Sequence, residues 1–308
     1  MKPIRFAPSH AVSAALAALC IPLAMLCTIS PARAADATVN QALAAAASAT
    51  VRVNNVAGAI HVQGWNQNRV QVTGTLSGQA TLDFHGGGNN VEVRVVYPNY
   101  GGGNSQADLT VQVPAASRLI VNTVSAGIDA DGLNGSGHLE SVSGDVTLNS
   151  RDTDAELKSV SGDVTVTGSA KGAHVSGRSV SGDVRISGID GNVDAGSISG
   201  AVNVSGSRID RAKLNSTSGN VNFTAALAPS GNYDFNSTSG NLTLSFSAKP
   251  DARFDIYTFS GDIDNNFGPK AQRTSEYGPG RELHFSSGAG GAQVSAHTLS
   301  GNITLRSP

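Results

Sequence analysis

The chain has 308 residues, of which 14% are charged, 5% are aromatic and 36 are glycine, and its formal net charge is −2. So few charges with a small acidic excess exclude the basic stripe by which many proteins bind nucleic acid, and no nucleic-acid partner is expected. The many glycines and few aromatic residues favour turns and tight β-packing over a helical bundle.

The first segment, residues 1–34, has the pattern of a signal peptide. It begins with basic residues, continues with an apolar stretch over residues 11–29 and ends in a small-x-small sequence at Ala34. A transmembrane anchor is the weaker alternative, because small residues interrupt the apolar run and no basic stop-transfer cluster follows it. We therefore predict export to the periplasm or the cell surface and no transmembrane anchor after cleavage. Cleavage after Ala34 would also remove Cys20 and Cys27, the only cysteines, and leave a mature chain without disulfides.

The next segments differ in composition. Residues 35–49 are rich in alanine and are expected to form a tail or a short helix. Residues 50–124 contain alternating strand patterns, which the glycine-rich stretches 86–88 and 101–103 separate. We predict that this region is the divergent N-terminal β cap of one domain that spans residues 50–308.

Residues 125–308 consist of copies of one motif, Ser-x-Ser-Gly-Asp/Asn, each followed by alternating aliphatic residues. Its glycines are Gly144, Gly162, Gly182, Gly200, Gly219, Gly240, Gly261 and Gly301. The first seven lie 18 to 21 residues apart, which fits one repeat per turn of a solenoid. The last gap of 40 residues leaves room for one degenerate rung, and residues 265–281 within it have the composition of a surface loop.

Strict alternation around each glycine predicts which side chains face the interior. Inward rows are expected five residues before the glycine, two before it, two after it and four after it. The row two residues before it is Val142, Val160, Val180, Ile198, Thr217, Thr238, Phe259 and Leu299. The odd spacing between the first two rows implies a bend between them. The glycine itself is expected to face inward, where a side chain would crowd the interior, and it is free to adopt a positive φ.

Rows that repeat at this spacing stack in register when each repeat is one coil, so that every inward residue lies on its counterpart about 4.8 Å away. The sequence therefore predicts an all-β fold, a parallel, β-helix-like β-solenoid of about eight or nine rungs with a divergent N-terminal β cap.

The chain resembles the bacterial DUF4097 putative-adhesin family, which is related to the head-GIN putative adhesins. The matching elements are residues 51–53 leading to residues 56–65, the Ser-x-Ser-Gly repeats, and Pro114 before the strand at residues 119–121. The resemblance covers residues 50–308. It implies a β-helix-like fold in exported or membrane-attached proteins, some of them linked to envelope-stress operons.

The residue after each glycine forms a polar ladder that includes three aspartates, Asp145, Asp163 and Asp183. Stacked carboxylates about 5 Å apart repel one another unless water or a cation intervenes, and calcium prefers such oxygen ligands. The alternative is that these are turn residues that bond to nearby backbone, which the Asn and Ala at half of the positions favour. The aspartates are accordingly weak metal candidates.

A pair of hydroxyl residues flanks each glycine, and these pairs are a candidate interaction face. The clearest members are Ser141, Ser143, Ser159, Ser161, Ser179, Ser181, Ser197 and Ser199. If both residues of each pair face outward, they form a regular array that could bind glycan or ordered water. The alternative is that serine is simply tolerated on an exposed sheet.

An acidic cluster, Asp152, Asp154 and Glu156 beside Lys158, is the one candidate for acid–base chemistry. Closely spaced acids in a loop are more often solvated, and no nucleophile elbow or HExxH motif accompanies them. We therefore expect a non-catalytic, exported envelope or surface protein without a cofactor. Its expected role is that of an adhesin-like scaffold or interaction module of unknown ligand, for which an envelope protein and a glycan are the candidates. The alternative is a carbohydrate-binding or polysaccharide-cleaving β-helix protein.

Overall fold

The structure is a computed structural model that describes residues 36–98, 105–150, 154–168 and 171–308. The segment expected to be a signal peptide lies outside these residues. The described residues contain twenty-two strands, which belong to one hydrogen-bonded sheet, and no helix. Most pairings are parallel, and the sheet coils into a β-solenoid.

The N-terminal part contains seven strands: β1 (Ala37–Asn55), β2 (Gly58–Trp65), β3 (Arg69–Leu76), β4 (Thr81–Val96), β5 (Ala107–Pro114), β6 (Arg118–Thr123) and β7 (Gly127–Leu133). The repeats begin with β8 (Gly137–Glu140), β9 (Val146–Ser150), β10 (Ala155–Lys158), β11 (Val164–Gly168), β12 (Lys171–Ser179), β13 (Val184–Ser197), β14 (Val202–Ser216) and β15 (Val221–Ser237). The chain ends with β16 (Leu242–Phe246), β17 (Ala252–Ser260), β18 (Ile263–Asn265), β19 (Gln272–Arg273), β20 (Arg281–Ser287), β21 (Ala292–Ser300) and β22 (Ile303–Arg306).

In the repeats, equivalent residues of successive coils lie directly over one another. Val164 is in register with Val146 on one side and with Val184 on the other. The rows five before, two after and four after the glycine are buried as predicted, apart from Ile263 and Asn265 in the outermost coil. Each buried Val, Leu or Ile contributes about 1.5–3 kcal/mol before the chain entropy is subtracted. The stack therefore supplies the core that no single coil could form.

The repeat glycines are required by the close approach of the coils. A Cβ atom on Gly182 would lie 2.1 Å from the carbonyl oxygen of Gly162, and one on Gly162 would lie 2.2 Å from that of Gly144. The repeat glycines are buried apart from Gly261 and Gly301, but the contact that excludes a side chain is with the backbone of the neighbouring coil and not with the interior side chains. None of the eight has a positive φ, so the suggested conformational reason is wrong for them, although Gly58 in the divergent part does have one, at 112°.

The alanine-rich segment does not form the expected tail or short helix, because residues from Ala37 onward belong to β1. Residues 37–44 pair antiparallel with β3, and residues 50–54 pair parallel with β4. Val39, Ala45 and Ala49 are buried by these contacts. Pairing across the sheet thus overrides the helix propensity of alanine.

The order of the coils departs from the order of the chain at both ends. The second half of β1 lies between β4 and β6, and β2 lies between β5 and β7. At the other end, β21 lies between β15 and β17, and β22 lies between β16 and β18. The 40-residue gap therefore holds no degenerate rung. It holds β18, a surface segment with the short strand β19, and β20, which pairs antiparallel with β17.

Candidate interaction surface

The Ser-x-Ser-Gly segment forms the corner that joins the two strands of each coil, and its first serine points inward. Ser159 Oγ accepts a hydrogen bond from the Gly162 N–H at 3.0 Å and donates one to the Gly144 carbonyl at 3.0 Å. Ser179 and Ser197 make the same two bonds at 2.9–3.0 Å. The first serine of the motif is therefore a buried link between neighbouring coils.

The hydroxyl pairs do not form the single outward array that the sequence suggested. Ser141, Ser159, Ser179 and Ser197 are buried, whereas Ser143, Ser161, Ser181 and Ser199 are exposed. The prediction that both members of each pair share a face is wrong, because the backbone bends immediately after the first serine. Only the second serine of each pair remains available to a partner.

The same bend overturns the prediction that the residue two before each glycine faces inward. The N–H groups of Val160 and Ser161 both donate to the Val142 carbonyl, at 3.2 and 2.9 Å, so the corner is not an extended strand. Strand alternation stops there, and the valine and the serine after it both point to solvent. In six successive coils this position carries an aliphatic side chain that is 39–49% exposed, and we call this run the aliphatic ridge: Val56, Val124, Val142, Val160, Val180 and Ile198. Thr217 and Thr238 separate the ridge from the exposed Leu299 and Phe259 at the C-terminal end.

A groove with a volume of about 670 Å³ runs beside the ridge across several coils. The ridge forms one wall. The other wall is the last outward residue of each strand before the corner. We call its polar members the polar row: Asn122, Glu140, Lys158, Arg178 and Asn215, with Gly196 at the same position of β13. The groove thus joins an apolar side to a side with hydrogen-bonding groups and both signs of charge.

Ion pairs hold the charged side chains of the polar row in place. Lys158 Nζ lies 3.2 Å from Glu140 Oε1 and 2.6 Å from Glu156 Oε1. The hydrogen bond from Lys158 holds the pKa of Glu156 below its ordinary value, and the same bond raises the pKa of Lys158. His138 lies between the two glutamates, and Arg178 pairs with Asp194 at 2.9 Å.

The aspartate ladder bonds to backbone. Asp145 Oδ1 accepts the Asp163 N–H, and Asp163 Oδ1 accepts the Asp183 N–H, both at 2.8 Å. Arg185 donates to the remaining carboxylate oxygens of Asp163 and Asp183 at 3.1 and 2.6 Å. Within the described part of the chain, no three or more His, Cys, Asp or Glu side chains are grouped so that they could hold a metal ion. Calcium binding at these weak candidates is a prediction that the geometry leaves untested.

The acidic cluster is only partly described, because Asp152 lies outside the described residues. Asp154 Oδ1 accepts the His174 N–H at 2.8 Å, and Glu156 is paired with Lys158. A general acid needs a raised pKa, whereas the pKa of Glu156 is lowered. The two described carboxylates thus serve local structure.

A second groove, of about 570 Å³, lies at the other ends of several strands and is polar. We call it the polar groove, and its side-chain lining includes Asn66, Asp131, Asn134 and Asn149. Asn149 Nδ2 donates to Asp131 Oδ1 at 2.6 Å. Sequence reasoning missed both grooves. The odd spacing between the rows five and two before the glycine was the available signal for the ridge, since it marks where the alternation breaks.

Of the residues that the structure describes, none lies in a helix that is long and apolar enough to cross a membrane.

No curated protein matches the chain. Among solved structures, a putative adhesin from Bacteroides fragilis is 11% identical, with 87% of this chain and 97% of that chain covered and a TM-score of 0.45. A putative lipid binding protein from Parabacteroides distasonis is 14% identical, with 88% and 96% covered and a TM-score of 0.41. Identities this low say nothing about shared function.

A family model gives the assignment that these structures do not. The Toastrack DUF4097 model matches residues 35–306, which include every strand from β1 to β22. The match confirms the resemblance that the Ser-x-Ser-Gly repeats indicate, and it extends it through the alanine-rich segment. The chain belongs to the Toastrack DUF4097 family.

Proposed function

We propose that this protein is a non-catalytic, adhesin-like interaction scaffold that is exported to the cell envelope or surface, and that it binds its partner through the aliphatic ridge. One observation carries the proposal. At every corner from Val56 to Ile198, the residue before the ridge side chain is a buried asparagine, threonine or serine, while the aliphatic side chain of the ridge is exposed to solvent. Contiguous apolar surface on a folded protein commonly marks an interaction site.

Three further features support the proposal. The first is the signal-peptide pattern of residues 1–34, which favours export. The second is the regular stack, which fixes the spacing of the ridge side chains over successive coils, since neighbouring corners are bonded through the inner serines Ser159, Ser179 and Ser197. The third is that the described carboxylates of the acidic cluster are engaged in local bonds, which suits a scaffold better than an enzyme.

The proposal is tested by cross-linking in intact cells followed by pull-down of this protein. Replacing Val160 and Val180 by serine should abolish the cross-linked species without changing the thermal midpoint, because both side chains are exposed. Tyr277→Ser is the control, since Tyr277 is 92% exposed and lies in the surface segment between β19 and β20, outside the ridge. Equal cross-linking by the double variant and by the wild type would contradict the ridge as the binding surface.

Catalysis is tested separately on envelope and plant polysaccharides with the purified protein. We expect no turnover. Turnover that is lost in Asp154→Asn, while the fold is retained, would replace the scaffold proposal with a polysaccharide-cleaving enzyme.

Carbohydrate binding is the second candidate function, and the polar groove favours it. Amide and carboxylate side chains are suited to sugar hydroxyls, and Asn66, Asp131 and Asn149 line one groove. Binding to envelope polysaccharides should weaken in Asn149→Ala and be unchanged in Asn203→Ala, whose side chain lies outside this groove. Binding that is equal in both variants would remove this candidate.

A further inference from the structure

We propose that the partner of the aliphatic ridge is a second copy of this chain, and that the two ridges pack antiparallel about a twofold axis between the coils of Val142 and Val160. This inference rests on the proposed function in taking the ridge as the binding surface. It goes further in naming the partner and the register.

The repeat spacing of the ridge favours a second copy. Successive ridge side chains are separated by the spacing of neighbouring strands, about 4.8 Å. A second ridge has the same spacing by construction, so all six aliphatic side chains can be covered at once. With the axis between Val142 and Val160, Val142 meets Val160 of the second copy. The outer members then meet in the same way: Val124 faces Val180, and Val56 faces Ile198.

The charges of the polar row select the antiparallel register. A twofold axis across the ridges places the polar row of one copy against the polar row of the other, in reverse order. Glu140 then faces Lys158 of the second copy, and this contact occurs twice. Asn122 faces Arg178, an amide oxygen opposite a guanidinium group. A parallel arrangement would instead place the polar row against the outer serines and lose this complementarity.

The contact area predicts a weak, reversible dimer. Six coils span on the order of 30 Å, and the ridge with its two flanks is about 20 Å wide, so each partner buries on the order of 600 Å². That is the low end of specific interfaces, which bury roughly 800 Å² per partner at standard size. We therefore expect dimerisation in the micromolar range or weaker.

Sedimentation equilibrium on protein purified from cells that express the full chain measures the dimer constant. We expect a concentration-dependent shift from monomer to dimer. Val160→Ser should weaken the constant by about tenfold or more, because the lost apolar contact occurs twice in the symmetric dimer. Tyr277→Ser, in the exposed segment between β19 and β20, should leave it unchanged. A chain that stays monomeric up to near-millimolar concentration overturns the inference, as does a dimer that Val160→Ser does not weaken.

Single-cysteine variants test which residues of the two ridges face each other in the dimer. The unsubstituted chain is the control for any disulfide that Cys20 or Cys27 forms. A mixture of Val142→Cys and Val160→Cys proteins should form a disulfide, and so should a mixture of Val56→Cys and Ile198→Cys. Ile198→Cys alone should not, since the two copies of this residue would be five coil spacings apart, about 24 Å. Efficient self-linking of Ile198→Cys would indicate a parallel pair and overturn the proposed register.

The two proposals fail in different ways. If the purified protein is monomeric but the Val160/Val180 double variant still loses its cross-linked species in cells, the ridge binds another molecule and only the self-association is wrong. If the double variant keeps its cross-linked species in cells, the ridge is not the binding surface.

Discussion

The middle of the solenoid and its two ends solve the same packing problem in different ways. In the middle, from β8 to β16, each coil stacks on the one before it in chain order. At each of these corners the first serine of the motif accepts a hydrogen bond from the N–H of the repeat glycine. At the ends, the chain order is broken. The first segment lies between two later ones, with β1 between β4 and β6, and the last segment lies between two earlier ones, with β21 between β15 and β17. The antiparallel strands β3 and β20 then pair with β5 and β17. The middle is thus a repeating unit, whereas each end is a closure that protects the sheet edge.

The difference extends to side chains. In the middle, a serine holds each corner, whereas at the N-terminal corner of Gly58 an asparagine does so. Asn55 Nδ2 donates to the Ala57 carbonyl at 3.1 Å, and its Oδ1 accepts from Tyr97. The C-terminal end is closed by four stacked or edge-on phenylalanines, Phe246, Phe254, Phe267 and Phe285. These rings cover the core at the C-terminal edge, although β15 also buries Phe223, Tyr233 and Phe235 between two coils.

The largest effect should come from deleting residues 289–308, which removes β21 and β22. Because these strands lie inside the stack, β17 and β18 lose their parallel neighbours, and buried Val294, Ile303 and Leu305 are lost. We expect a loss of about 5 kcal/mol or more, with β17 unprotected in hydrogen exchange. Deletion of Pro308 alone is the control. If β17 stays fully protected, the inserted order of the coils is wrong.

Gly182→Ala should have the next largest effect, and it probes the middle. The new Cβ would meet the Gly162 carbonyl oxygen at 2.1 Å, so two coils must separate. We expect a loss of about 3 kcal/mol in the free energy of unfolding, measured by urea denaturation. Gly127→Ala is the matched control, because its Cβ would approach nothing closer than 3.9 Å. Equal losses in both variants would show that coil spacing does not select these glycines.

Ser179→Ala should cost about 1–3 kcal/mol, because the Gly182 N–H and the Gly162 carbonyl each lose their bond to the buried hydroxyl. Ser181→Ala, at the exposed serine of the same corner, should change the free energy of unfolding by less than about 0.5 kcal/mol. The two values come from one urea series. A larger loss of unfolding free energy in Ser181→Ala than in Ser179→Ala would contradict the assignment of Ser179 as the buried serine and Ser181 as the exposed one.

These comparisons show how far the sequence can be read. The rows beginning at Leu139, Val146 and Leu148 were predictable because each lies in an uninterrupted strand with one buried face. The ridge was not predictable in this way. The prediction continued the in–out alternation of a strand past Ser141, whereas the chain bends there and the next two side chains both face solvent. The order of the coils at the two ends was not predictable either. The spacing of the repeats along the chain does not determine on which side of a coil the next strand pairs.

The smallest effect is expected at the polar ladder, where the first repeats carry aspartates and the later ones, apart from Asp262, carry alanine or asparagine. Asn220 and Asn241 accept backbone N–H groups at 3.0 and 2.8 Å, as Asp163 does at 2.8 Å. Asp163→Asn should therefore shift the thermal midpoint by no more than a degree or two, because only an exposed ion pair with Arg185 is lost. Calcium and chelator should leave the thermal midpoint of the wild type unchanged, because the ladder carboxylates already bond to backbone N–H groups and to Arg185. A structural ion would instead raise the midpoint with calcium, since a ligand that binds the folded state stabilises it by mass action. A calcium-dependent rise that disappears in Asp163→Asn would instead make the ladder a metal site, and the first repeats would then differ in chemistry from the later ones.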